Sequence, residues 1–230
     1  MNILALDTCT ESCSAALLYR GELIERIELT QRGHSDLILG MMDALFKEAG
    51  TSIAAIDAVA FGRGPGSFTG VRVCVGVAQG IAFARDLPVI PISSLAAVAQ
   101  GASDEFDSNH IAVAMDARMG EIYCASYQRE DGIVKLVGQE RVCSPEQFKA
   151  DSARQWTGVG TGWGEYETLL RQQFSGNLEQ VFVAQYPQAK NIITLAQFEA
   201  KSGRMITAEQ AFPVYLRNNV AKKKGQQKNA

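Results

Sequence analysis

Asp7 and Asp116 each close a short apolar run, NILAL at 2–6 and IAVAM at 111–115. A carboxylate at a strand end beside a cleft suits general acid–base work. Aspartate also caps tight turns, so both roles stay open. A third feature is the stretch GRGPGSFTGVR at 62–72, where glycine or proline fills five of the first nine positions. Such a loop could cradle a phosphate, expose Ser67 as a nucleophile, or turn the chain sharply.

Spacing tests these chemistries. A phosphate-binding P-loop needs a lysine just after its last glycine, and no lysine lies between Lys47 and Lys135. The dinucleotide fingerprint fails in both frames: Gly64 and Gly66 are followed by Thr69, and Gly62 and Gly64 by Ser67. A nucleophile elbow needs glycine two residues to either side of its serine. Ser67 has Gly66 beside it and Thr69 two residues on. Backbone amides at a following helix start could still hold an anion weakly. TGVGTGW at 157–163 is a second glycine-rich turn of this kind. The two histidines, His34 and His110, stand alone. Cys9, Cys13, Cys74, Cys124 and Cys143 are odd in number and lack zinc spacing, so they read as reduced thiols.

Positioning these residues requires alternating strands and helices. Residues 2–6, 13–21 and 22–31 read as three strands. Leu37, Ile38, Met41, Met42, Leu45 and Phe46 then recur at helical spacing over 35–49, with Ser35 as N-cap and Gly50 as stop. A strand at 57–61 leads into the glycine-rich loop. A helix over 70–85 follows, capped by Thr69 and stopped before Pro88, although its valines alternate like a strand. A strand at 88–93 and a short helix at 95–102 complete the first half, and the polar SDEFDSNH at 103–110 reads as a linker. The pattern then recurs: strand 111–116 ending in Asp116, strand 121–128, an Asp131-Gly132 turn, and strand 133–142. Ser144 and Pro145 suggest a helix start, 155–163 a strand and turn, and 163–174 and 191–203 helices. The chain therefore reads as a duplicated α/β unit, with one lobe at 1–102, a second at 103–220, and a basic, disordered tail at 221–230.

Composition restricts function. The 230 residues carry a net charge of only −3, which gives no global field for nucleic acid. No apolar run approaches the roughly 20 residues of a membrane span, and MNILALDT lacks a signal-peptide pattern. A cytoplasmic protein is expected.

LALDTCTESCSAAL, GRGPGSFTGVRVCVGVAQGIA, MDARMGEIYCASY and PVYLRNN together resemble the TsaB family, also called YeaZ. The resemblance covers almost the whole chain. It implies an actin/Hsp70/sugar-kinase-like (ASKHA) α/β fold of two duplicated ribonuclease-H-like lobes. It also implies a role beside the transferase TsaD, which makes threonylcarbamoyladenosine on tRNA, and the ATPase subunit TsaE. TsaD holds a metal through a histidine pair on a helix. The corresponding stretch here, SSLAAVAQGAS at 93–103, has no histidine. The resemblance thus implies a non-catalytic scaffold with no cofactor of its own, ATP and metal belonging to the partner subunits. An ATP-dependent phosphotransferase and a peptidase are the alternatives. Helices 35–49 and 70–85 are expected to bind TsaD, or a second copy in the isolated protein, through Leu37, Ile38, Met41, Met42, Leu45, Val71, Val75 and Gln79. Asp7, Thr8, Gly64, Gly66, Ser67, Thr69, Asp116 and Arg118 are expected to face TsaE or its nucleotide. tRNA is expected to be met through the complex.

Overall fold

The computed structural model describes residues 1–149, 151 and 153–217. The tail expected at 221–230 lies outside the described residues. The first half runs β1 (Ile3–Asp7), β2 (Ser12–Tyr19), β3 (Glu22–Leu29), α1 (His34–Glu48), β4 (Ala58–Gly62), α2 (Phe68–Arg85), β5 (Val89–Ile92) and α3 (Ser94–Phe106). The second runs β6 (His110–Asp116), β7 (Ile122–Glu130), β8 (Ile133–Cys143), β9 (Trp156–Val159), α4 (Thr161–Glu165), α5 (Glu167–Gln173), β10 (Leu178–Phe182) and α6 (Ala189–Lys201).

The sheet orders are β3-β2-β1-β4-β5 and β8-β7-β6-β9-β10, so the second sheet repeats the first. In each, three antiparallel strands are extended by two parallel ones. The first hairpins match too. Arg20 and Gly21 have φ of 53° and 89°, and Asp131 and Gly132 have 49° and 79°. Two consecutive left-handed residues suit the right-handed twist of the flanking strands. This repeat is the duplicated lobe of the actin/Hsp70/sugar-kinase architecture.

Strand alternation sorts the core into layers. On β1, Leu4 and Leu6 pack with α1 and α2 on the outer face, while Ile3 and Ala5 face inward. The inner layer holds α3 and α6 between the sheets. These two helices are exchanged: α3 packs on β6, β7 and β8, and α6 packs on β1, β2, β4 and β5. The lobes therefore interlock, and a division at 102/103 cuts through α3.

Several local expectations are corrected. The 103–110 stretch is not all linker, because α3 continues to Phe106 and Ser103 is buried, donating to the Ser108 carbonyl at 2.9 Å. Gly33, at φ 83°, rather than Ser35 caps α1, which begins at His34. Ser67 rather than Thr69 caps α2; its Oγ accepts from Gly70 N at 3.0 Å. The helix expected over 70–85 is present despite its alternating valines. The Ser144–Pro145 signal yields only a 3-10 turn over 145–147. The expected 163–174 helix is broken at Tyr166, at φ −121°. α6 starts two residues before its expected position, and β10, unforeseen, is a short, partly exposed edge strand.

Within α2, Gly76 and Gly80 are exposed, with open space where a Cβ would stand. Mid-helix glycine costs roughly 0.5–1 kcal/mol relative to alanine. Gly76→Ala and Gly80→Ala should each stabilise the isolated chain by about that amount, read as a higher urea midpoint at unchanged slope.

Candidate functional site

Between the lobes lies an open cleft of about 460 Å³. Its walls come from the turn after β1, the start of α1, the loop before α2, the turn after β6, and residues 214–217. The two aspartates stand at equivalent turns beside it. Asp7 Oδ1 accepts from Cys9 N at 2.9 Å, and Asp116 Oδ1 accepts from Arg118 N at 2.8 Å. Each carboxylate thus holds the amide two residues on, as an aspartate-capped turn does.

Their environments then diverge. Asp7 is fully buried, its Oδ2 3.4 Å from Ser94 Oγ. Desolvation pushes its pKa up to about 7, against the lowering effect of its hydrogen bonds. Asp116 remains at the cleft, paired with Arg118 Nη1 at 2.9 Å and accepting from Tyr166 OH at 3.3 Å. Arg118 also reaches across to Glu11 Oε1 at 3.0 Å, tying the lobes at the cleft mouth.

The glycine-rich loop lies against the first turn, backbone on backbone. A Cβ on Gly66 would stand 2.1 Å from the Cys9 carbonyl oxygen, and one on Gly70 2.1 Å from that of Thr8. One on Gly62 would stand 1.9 Å from Asp7 Oδ2. Ser67 N donates to the Cys9 carbonyl at 2.7 Å, and Thr8 Oγ1 donates to the Gly70 carbonyl at 2.7 Å. The amides of Ser67 and Gly70, which an anion would need, are thus engaged within the chain.

Of the eight residues expected at nucleotide-facing loops, Gly66, Ser67, Asp116 and Arg118 line one cleft. Asp7, Thr8 and Gly64 are buried behind it, and Thr69 is exposed outside its lining. Sequence reasoning missed Glu11, Phe68, Tyr123 and the segment Val214–Arg217. That segment is strapped across both lobes. Val214 N donates to the Arg63 carbonyl at 2.8 Å, and Arg217 bonds Glu121 and the Arg118 carbonyl. Phe68 and Tyr215 flank the Arg72 guanidinium, which sits 3.2 Å from the Phe68 ring centre. The aromatic and arginine residues of PVYLRNN and of the loop were the available signal. His34 also lines the cleft, its Nε2 2.8 Å from the Thr10 carbonyl. Among the described residues, no three metal-ligating side chains converge.

The expected partner contacts are corrected by burial. Ile38, Met42, Leu45, Val71 and Val75 belong to the chain's own core against the first sheet. Leu37 and Met41 are half-buried beside them. Gln79 donates to the Ala208 and Ala211 carbonyls, holding the C-terminal segment. The helical periodicity picked out the inward faces of α1 and α2. The outward face carries Leu39, Gly40 and Ala44 on α1, and Gly76, Gly80 and Phe83 on α2.

Residues 27–225 match the family model of TsaD, tRNA N6-adenosine threonylcarbamoyltransferase. The chain is 44% identical to the tRNA threonylcarbamoyladenosine biosynthesis protein TsaB of Haemophilus influenzae, over 97% of both chains. It is 42% identical to that of Escherichia coli, over 97% of this chain and 98% of the relative. The chain belongs to the TsaB family. The solved structure of YeaZ from Pseudomonas aeruginosa superposes on this TsaB-family fold with a TM-score of 0.88. It is 43% identical, over 94% of this chain and 99% of that one. A second solved structure, equally similar, is described as an uncharacterized protein with similarity to peptidase YEAZ from the same organism. No described helix of this TsaB-family chain is long and apolar enough to cross a membrane.

Two outcomes test the site's construction. Gly66→Ala should destabilise the fold by about 1–3 kcal/mol or more, since the obstructing atom is backbone; chemical denaturation measures it. Asp7 binds its proton more tightly folded than unfolded, so its contribution is full below pH 3.8 and is lost as pH rises towards 7. Asp7→Asn keeps the acceptor for Cys9 N. The variant should match the wild type near pH 4 and exceed it by a few kcal/mol near pH 8, seen as diverging urea midpoints.

Proposed function

We propose that the chain is a non-catalytic subunit of the tRNA threonylcarbamoyladenosine machinery. It binds TsaD through the outward faces of α1 and α2 and helps recruit TsaE. TsaD then transfers threonylcarbamoyl from threonylcarbamoyl-AMP to N6 of the adenosine beside the anticodon. The observation that carries the binding mode is the outward stripe itself. Leu39 and Phe83 are 52% and 73% exposed, and Gly40, Ala44, Gly76 and Gly80 leave both helix backbones open to close approach. Exposed apolar side chains beside small residues suit helix-on-helix docking better than contact with solvent. The isolated protein can cover the same face with a second copy.

What supports a non-catalytic role is the state of the polar groups. Asp7 is sealed, Asp116 is paired with Arg118, and Ser67 Oγ caps α2. ATP and metal accordingly belong to TsaD and TsaE, and tRNA is reached through the complex. The phosphotransferase and peptidase alternatives would each require one of these groups to be released.

Co-purification with TsaD tests the reading. Leu39→Asp and Gly80→Asp should fold normally, lose TsaD by about tenfold or more in affinity, and fail to restore modified tRNA in a depleted extract. Asp7→Asn and Ser67→Ala should retain both. Retention of TsaD by both aspartate variants would move the interface elsewhere. Loss of modification with Ser67→Ala despite intact TsaD binding would restore the catalytic alternatives.

A further inference from the structure

Five thiols are buried in the described chain, and they are not equivalent. Cys9, Cys13 and Cys74 each direct their sulfur at a backbone carbonyl, of Gly62, His34 and Leu6 respectively. Cys124 and Cys143 instead face each other across β7 and β8, Sγ to Sγ 3.5 Å. Cys143 pairs with Ile122 and Cys124 with Arg141, so both thiols project from the same face of the ladder. β8 is the edge strand of its sheet. Cys143 ends it with 8% of its surface open, whereas Cys124 is fully covered.

We propose that Cys124 and Cys143 form a reversible disulfide couple, an oxidation site at the edge of the second sheet that takes a small peroxide as oxidant. A disulfide needs the sulfurs at about 2.05 Å, a closure of roughly 1.5 Å that moves the end of β8 as well as the side chains, because the two cysteines stand diagonally across the ladder.

Roles within the pair follow from their surroundings. The hydrogen bond from Cys124 and the nearby Arg141 guanidinium hold the Cys143 thiol below its usual range, while Cys124 is pushed up. Cys143, the more exposed and more readily ionised, is the attacking sulfur. Its thiolate attacks one oxygen of hydrogen peroxide. The O–O bond breaks, and the departing hydroxide takes a proton to become water. Cys143 is then a sulfenic acid. Cys124 loses its proton and attacks that sulfur, the S–O bond breaks, and a second water leaves as the S–S bond forms. Two thiols and one peroxide yield one disulfide and two waters, and a dithiol reductant reverses the change. Cys9 and Cys74 also lie near one another, but both are fully buried, and Cys9 is pushed well up by desolvation. Neither offers a peroxide an exposed thiolate.

Full-length reduced protein exposed to stoichiometric hydrogen peroxide tests this. Intact mass should fall by two hydrogens, peptide mapping should link Cys124 to Cys143, and dithiothreitol should restore both. In the native state Cys143 should alkylate about tenfold faster than Cys9, Cys13 or Cys74. Cys124→Ser should leave Cys143 as a sulfenic acid trapped by dimedone, and Cys143→Ser should abolish oxidation. The wild-type mapping stands even if a variant misfolds. A Cys9–Cys74 link without the Cys124–Cys143 link would overturn the proposal. So would an intermolecular disulfide alone, or native protein that keeps five alkylatable thiols.

Discussion

Backbone pressed against backbone at the end of β1 is the contact on which the rest of the structure depends. Gly62, Gly66 and Gly70 bring the loop before α2 to within contact of Asp7, Cys9 and Thr8. A side chain at any of the three would meet the carboxylate or a carbonyl, groups that cannot move without unmaking the turn. This closeness seals Asp7 from water, places Ser67 to cap α2, and fixes the angle at which α2 leaves the sheet. The loop has the composition of an anion cradle, yet two of its amides already serve the chain's own atoms.

The duplicated lobes show what that contact changes. Both halves begin with the same strand, aspartate, turn and hairpin, and both aspartates hold the amide two residues on. In the second half the turn after β6 runs through three left-handed residues, Arg118, Met119 and Gly120, and the glycine-rich turn at 157–163 packs on the Ala114 carbonyl, leaving Asp116 half-buried. One carboxylate is buried and drawn towards neutrality, while the other stays at the cleft with an arginine partner. The same local geometry thus sits in two different environments, decided by what packs above it. The exchange of α3 and α6 between the sheets then binds the halves together.

Features governed by local periodicity were legible in the sequence. The strand–aspartate repeat and the two outer helices stand close to where the apolar pattern puts them. Features governed by tertiary contact were not. The end of α3 is written in polar residues, yet Ser103 is buried because its hydroxyl meets the Ser108 carbonyl. β10 has no apolar alternation, since a short edge strand takes its stability from pairing with β9. In the cleft, the loop and Asp116–Arg118 could be named, but Val214–Arg217 arrive from the far end of the described chain. No spacing rule connects residues so far apart in the chain.

The two outer helices make the same point about function. Rows of large apolar residues on α1 and α2 suggest a sticky surface, and Ile38, Met42, Leu45, Val71 and Val75 among them lie within the chain's own core. Among the residues left outside, Gly40, Ala44, Gly76 and Gly80 are small and stand with Leu39 and Phe83 amid charged side chains such as Asp43, Lys47 and Arg72. Glycine in the middle of an exposed helix lowers stability and makes no contact within this chain. Two such glycines one turn apart are hard to account for by the isolated fold. They are accounted for if another backbone lies against α2, because only there does a missing side chain gain anything. Large residues at helical spacing therefore report the core, and the deficit of side chains on the opposite face is the better pointer to a neighbour.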